Sequence, residues 1–185
     1  MGILTLILIG IGLSFNTFAV SVSCGIVESN IRFWQASRIA IFFAFFQAFM
    51  PVIGWLLGLT VKNYVIRFDH WIAFGLLSFV GGKMIIESFK KPEEKKFNPR
   101  KIKTVIILSF ATTLDAFAVG ISLAFIQVNM FLAAFIIGSI TFIIAMLGLL
   151  SGKKLGERPG KKMEILGGII LIALGLKILI DYLMN

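Results

Sequence analysis

Two residues of this chain combine chemical capability with a costly place. Asp115 stands at the centre of an apolar run over 105–127, and Asn16 at the centre of another over 4–26. If such runs lie in lipid, a carboxylate at mid-depth costs at least about 2.5 kcal/mol on insertion scales, so its presence needs a use. Binding a cation or a proton is that use, and an interhelical hydrogen bond is the plainer alternative. Other oxygens recur nearby. Thr112 lies one turn before Asp115, and Ser23 and Ser122 lie two turns beyond Asn16 and Asp115 on the same helix faces. Gln47 and Thr141 sit at the middle of two further apolar runs. For the hydroxyls, a bond to the carbonyl one turn back is the competing role. Carboxylate, amide and hydroxyl oxygens suit hard or borderline divalent ions such as magnesium, calcium and manganese. The single cysteine, Cys24, and the single histidine leave no cluster that would favour zinc or copper. Residue chemistry alone reaches "divalent cation or proton". A second set, Lys83 with Glu87 and Lys177 with Asp181, is spaced four apart. These are either alternating gates or ion pairs that snorkel to the interface.

The elements that position these groups follow from composition. Of 185 residues 58% are hydrophobic, and the mean hydropathy is +0.98. A soluble domain of this length cannot hide so much apolar surface, whereas lipid accepts it. A spanning helix needs about 20 mainly apolar residues. Six stretches qualify, at 4–26, 36–60, 71–89, 105–127, 130–152 and 164–183. The net charge of +9 is gathered into short segments between these runs, a membrane pattern rather than a nucleic-acid surface. Of the 18 Lys and Arg, Lys62 and Arg67 fall in the loops of one side and Lys83 and Lys177 within spans; all others fall on the opposite side. The positive-inside rule then puts both termini outside and the basic segment Lys90–Lys103 in the cytoplasm.

The two halves resemble each other. FNTFAVSVSCG from Phe15 aligns with LDAFAVGISLA from Leu114, pairing Asn16 with Asp115 and Ser23 with Ser122. Gly54 and Gly58 pair with Gly148 and Gly152, and Gly81, Lys83 and Glu87 with Gly175, Lys177 and Asp181. Three spans is an odd number, so a tandem copy starts on the other side of the membrane. The expected fold is all-α and integral to the membrane, six helices as two inverted three-helix repeats. Residues 1–89 form the first, 90–104 the cytoplasmic loop and 105–185 the second. Secondary transporters share this plan, with substrate bound near the midplane where the repeats meet. The Gly-xxx-Gly pairs read as sites of close helix approach.

With LDAFAVG, HWIAF, GGKMIIE, MPVIGW, AFIQVN and KKMEILGG, the chain resembles the bacterial manganese efflux pump family over nearly its whole length. The resemblance implies export of manganese(II), as substrate rather than cofactor, across the plasma (inner) membrane of a bacterium. It also implies an acidic residue in spans one and four as the core of the ion path. In span one this sequence departs from that pattern, with Asn16 where the family has Asp. An amide offers a carbonyl oxygen and no charge.

Other classes fit less well. A different divalent metal or a small solute on the same scaffold is the runner-up, although an amino acid would want a mid-span cation for its carboxylate. A structural membrane protein would carry the paired mid-span polar groups at a cost without a use. An enzyme is not indicated, since no nucleophile–base pair or cofactor motif appears, and no nucleotide-binding motif suggests ATP drive. The partners expected are a divalent ion and the bilayer; no signal sets an oligomeric state.

Overall fold

The computed structural model describes residues 2–28, 31–62, 69–89, 99, 101–126, 128–155 and 158–184. Their regular structure is helical, in seven elements: α1 (Ile3–Val27), α2 (Phe33–Lys62), α3 (Asp69–Phe89), α4 (Ile102–Thr112), α5 (Leu114–Ala124), α6 (Met130–Leu155) and α7 (Arg158–Leu183). Helix is the form that apolar runs of this length must take in lipid, because it satisfies every backbone polar group within the segment. By length and composition α1, Phe33–Thr60 of α2 and Met130–Gly152 of α6 can each cross a membrane. Together α4 and α5 make a fourth such unit, bent by 41°. The apolar stretches of α3 and α7, Ala73–Ile86 and Ile165–Ile180, are shorter. Large apolar side chains cover the outside as well as the core; Phe79, Phe131 and Phe135 are each more than two-thirds exposed. The basic segment 90–98 and Arg100 lie outside the described residues.

The sequence reading treats 105–127 as one span, and the structure divides it. At Thr113 the backbone leaves the helical region (φ −111°, ψ 5°). Local side chains compete for the backbone there. The Thr112 hydroxyl donates to the carbonyls of Leu108 and Ser109, and Thr113 to those of Ser109 and Phe110. The Ala116 N–H, which would continue the ladder to the Thr112 carbonyl, donates to Asp115 Oδ1 at 2.8 Å. Hydroxyl back-bonding together with a side chain that captures a ladder donor is a sufficient cause of the bend.

Packing is close where glycines meet backbone. α1 lies chiefly against α6 and α7, α2 against α5 and α6, and α3 against α7 and α5. A Cβ added to Gly148 would run into the Phe18 carbonyl and Val22 N, and one added to Gly152 into the Val22 carbonyl and Gly25. In the other half, a Cβ at Gly54 would meet the Phe117 carbonyl and Ile121 N, and one at Gly58 the Ile121 carbonyl and Ala124. Two apolar clusters fill the interior. One is centred on Leu13, Leu77, Val119, Ile137 and Leu171, the other on Cys24, Phe43, Ala145 and Leu149. Beyond the second cluster, the ends of α1, α2 and α4 leave a cavity of about 130 Å³, lined by Glu28, Arg38, Phe42 and Val105 among others.

Candidate functional site

The break at Thr113 sets the site. It places Asp115 in the first turn of α5, where free N–H groups and the helix dipole favour a negative charge. It also leaves the Thr112 carbonyl, at the end of α4, without its usual ladder donor. α1 passes this point unbroken and presents Asn16. The Asn16 amide nitrogen donates to the Thr112 carbonyl oxygen at 3.2 Å and to Asp115 Oδ2 at 3.3 Å. Asp115 is only 6% exposed, and Asn16 is half-buried.

Chemically, an NH₂ group held between a carboxylate and a carbonyl fills a place where positive charge is favoured. Turning the amide over presents Asn16 Oδ1 and makes three convergent oxygens. Among the described residues no three or more His, Cys, Asp or Glu come together. An ion held here therefore takes most of its ligands from neutral oxygens and water.

The structure thus brings Asn16, Asp115 and Thr112 together, Thr112 through its backbone rather than its hydroxyl. Gln47 and Thr141 are fully buried and both face α1: Gln47 Oε1 accepts from Thr17 Oγ1 at 3.5 Å, and Thr141 Oγ1 lies 2.8 Å from Ser14 Oγ. Ser23 and Ser122 each spend their hydroxyl on the carbonyl one turn back, Ala19 and Ala118, both at 3.1 Å. Lys177 is exposed. The side chains of Glu87 and Asp181 lie outside the described ones, and so do the two four-apart pairs.

The sequence reading missed Ser14, Thr17, Ser21 and Thr113, all fully buried. The signal was available for the first three. Their spacing of three and four puts them on one face of α1, a polar stripe inside an apolar helix.

Known proteins match along the whole chain. Residues 30–179 fit the family Mntp, described as "Putative manganese efflux pump". A protein of Gloeothece citriformis with that description and the name MntP is 46% identical over 184 residues, covering 99% of this chain and 97% of its own. One from Rippkaea orientalis is 47% identical, covering 98% and 97%. One from Clostridium botulinum is 44% identical, covering 98% and 96%. No solved structure matches.

Proposed function

The chain belongs to the manganese efflux pump family, a family of transporters rather than enzymes, and from that premise we propose a secondary transporter that exports manganese(II) through the Asn16–Asp115 site. The observation that carries the reading is the Asn16 amide bridging the Asp115 carboxylate and the freed Thr112 carbonyl. Manganese replaces that amide N–H pair as the positive partner. Asp115 supplies charge, Thr112 and Asn16 supply carbonyl oxygens, and the ligand type suits a borderline divalent ion. At an effective dielectric of 20 a unit charge pair 4 Å apart is worth about 4 kcal/mol, and a divalent ion roughly doubles that before desolvation is subtracted. Gln47 and Thr141 extend the polar layer, with Ser23 and Ser122 further along it.

The architecture in this reading is six spans in two inverted repeats, residues 1–89 and 105–185, joined by the cytoplasmic loop 90–104. Support comes from the packing. Exchanging the halves turns the α1–α6 interface into α2–α5, and the Gly148 and Gly152 contacts into those of Gly54 and Gly58. Both termini face outside the bacterial inner membrane, the orientation favoured by the basic loops. The cavity beside Glu28 then opens on the cytoplasmic side. Lys83 with Glu87 and Lys177 with Asp181 are in this reading either gates at the two ends or ion pairs that snorkel to the interface.

The test is manganese flux into proteoliposomes holding the purified chain, with magnesium, iron(II), cobalt and zinc as competitors. Manganese-selective flux that disappears in Asp115→Ala, with the variant inserted and equally heat-stable, supports the reading. Unchanged flux in that variant removes Asp115 from the path. Labelling of cysteines placed within 93–98 by an impermeant reagent in intact cells would reject the orientation.

A further inference from the structure

Beside the ion site, α1 carries a second set of polar groups, only part of which is satisfied by contacts within the protein. Ser14, Thr17 and Ser21 form one fully buried stripe that faces α2 and α6. Two polar atoms along it, Gln47 Nε2 and Ser21 Oγ, have no protein hydrogen-bond partner among the described residues. Ser21 departs from a pattern here. Ser14, Ser23, Ser109, Thr112, Thr113 and Ser122 all donate to a carbonyl three or four residues back. Gln47 is doubly exceptional, because Pro51, inside α2, has no N–H to give to the Gln47 carbonyl one turn earlier. Thr17 lies between the two orphans, bonded to Gln47 and one turn from Ser21. It also directly follows Asn16 in the chain.

In a bilayer interior, apolar residues at these positions carry no penalty, whereas each orphaned buried polar atom costs about 1–3 kcal/mol. A small occupant that both donates and accepts removes the cost, and water with two to four polar partners is that occupant. The ion chemistry asks for the same thing. Asp115 Oδ2, Thr112 O and Asn16 Oδ1 offer three oxygens, while Asp115 Oδ1 is held by the Ala116 N–H. Manganese in an oxygen site takes about six ligands, and the remainder must be water. Those waters need partners that lipid cannot provide. We infer that Thr17, Ser21 and Gln47 form a buried water-binding site that holds the water ligands a manganese ion keeps as it passes Asp115. The part played by the ion rests on the transport reading; the water site does not.

X-ray radiolytic labelling of the full-length protein in detergent separates the two, because bound water generates hydroxyl radicals in place and oxidises the side chains beside it. Met50 lies one turn from Gln47 and is 8% exposed, whereas Met84, 3% exposed, is buried in the interface of α3 with α7. Met50 is expected to oxidise several-fold faster than Met84, and Cys24, one turn from Ser21, to lose labelling in the Thr17→Val, Ser21→Ala double variant. Equal rates at Met50 and Met84, with Cys24 unchanged between the two proteins, would show a dry interface and overturn the site. Flux supplies the second arm. Thr17→Val, nearly isosteric, is expected to lower the initial manganese rate about tenfold, the effect of one hydrogen bond of about 1.4 kcal/mol, and Thr17→Ser to restore it at unchanged melting temperature. Labelling as expected with full flux in Thr17→Val would leave the water in place and remove its role in carrying the ion. A wild-type protein that labels as expected but moves no manganese would sink the transport reading and leave the water site standing.

Discussion

The same motif passes through two different backbones. In α1, Asn16 and the Phe-Ala-Val two residues on lie in an unbroken 25-residue helix. In the second half, Asp115 and its Phe-Ala-Val follow a bend of 41°. The residues just before the motif account for the difference. The second half has Thr112 and Thr113 followed by a carboxylate that captures the Ala116 N–H. At the matching positions α1 has Leu13 and Ser14, and Asn16 directs its amide across to the other helix. One serine back-bonded to Gly10 does not break a helix; two adjacent threonines and an inward-turned carboxylate do. Repeated sequence therefore gives unlike contributions to one site. The second half brings the charge and the freed carbonyl, and the first brings a neutral amide that reads both.

This asymmetry can be broken most severely by removing its charge. Asp115→Asn puts amides on both sides, and the expected outcome is loss of manganese binding by about 100-fold or more, an effect of about 3 kcal/mol, measured by calorimetry on the purified protein. Moving the charge is nearly as informative. The double variant Asn16→Asp, Asp115→Asn keeps one carboxylate but places it on the unbroken helix. Affinity is expected to stay at least about tenfold below the parent, because Asp115 sits at a helix N-terminus and Asn16 does not. Full recovery would show that the break adds nothing. Asn16→Asp alone sharpens the comparison from the other side, with an expected gain of about tenfold in affinity from the second charge; equal affinity would place position 16 outside the ion site. Straightening the helix comes next. Thr112→Ala with Thr113→Ala is expected to reduce the bend, read as a longer distance between spin labels at Ile102 and Ile121, and to weaken binding by a few-fold as the Thr112 carbonyl returns to the ladder. The smallest effect belongs to Ser23→Ala and Ser122→Ala, each within about twofold of the parent flux, since both hydroxyls are engaged with their own helix.

Much of the helical layout was legible because hydrophobicity over about 20 residues is a coarse and additive signal. The pairing of Asn16 with Asp115 was legible too, through the repeated motif. The bend at Thr113 was not, although Thr112 and Asp115 were in view. Whether a hydroxyl bonds back to its helix or across to a neighbour depends on what the neighbour offers, and sequence alone does not state that. The same gap explains why the sequence reading singles out Ser23 and Ser122 and passes over Thr17 and Ser21. All four are hydroxyls in apolar helices, but the first two are satisfied locally, whereas Thr17 reaches Gln47 and Ser21 is left without a protein partner.

The glycine-to-backbone contacts have a mechanical consequence. An interface with glycine on one side and main chain on the other has few rotamers to rearrange, so it resists sliding and loses little side-chain entropy when it forms. α1 with α6 and α7, α2 with α5, and α3 with α7 are such interfaces. Each joins a helix from one half of the chain to a helix from the other. The stiff units of the molecule are then these cross-half groups rather than the halves themselves, and movement has to occur between groups. Spin labels at Leu4 and Phe131 report within the α1–α6 pair, and labels at Leu4 and Leu57 report between groups; all three positions are exposed. Manganese is expected to leave the first distance unchanged and to shift the second. A shift in the first of the same size would mean that the three-helix halves, and not the glycine-locked groups, are what moves.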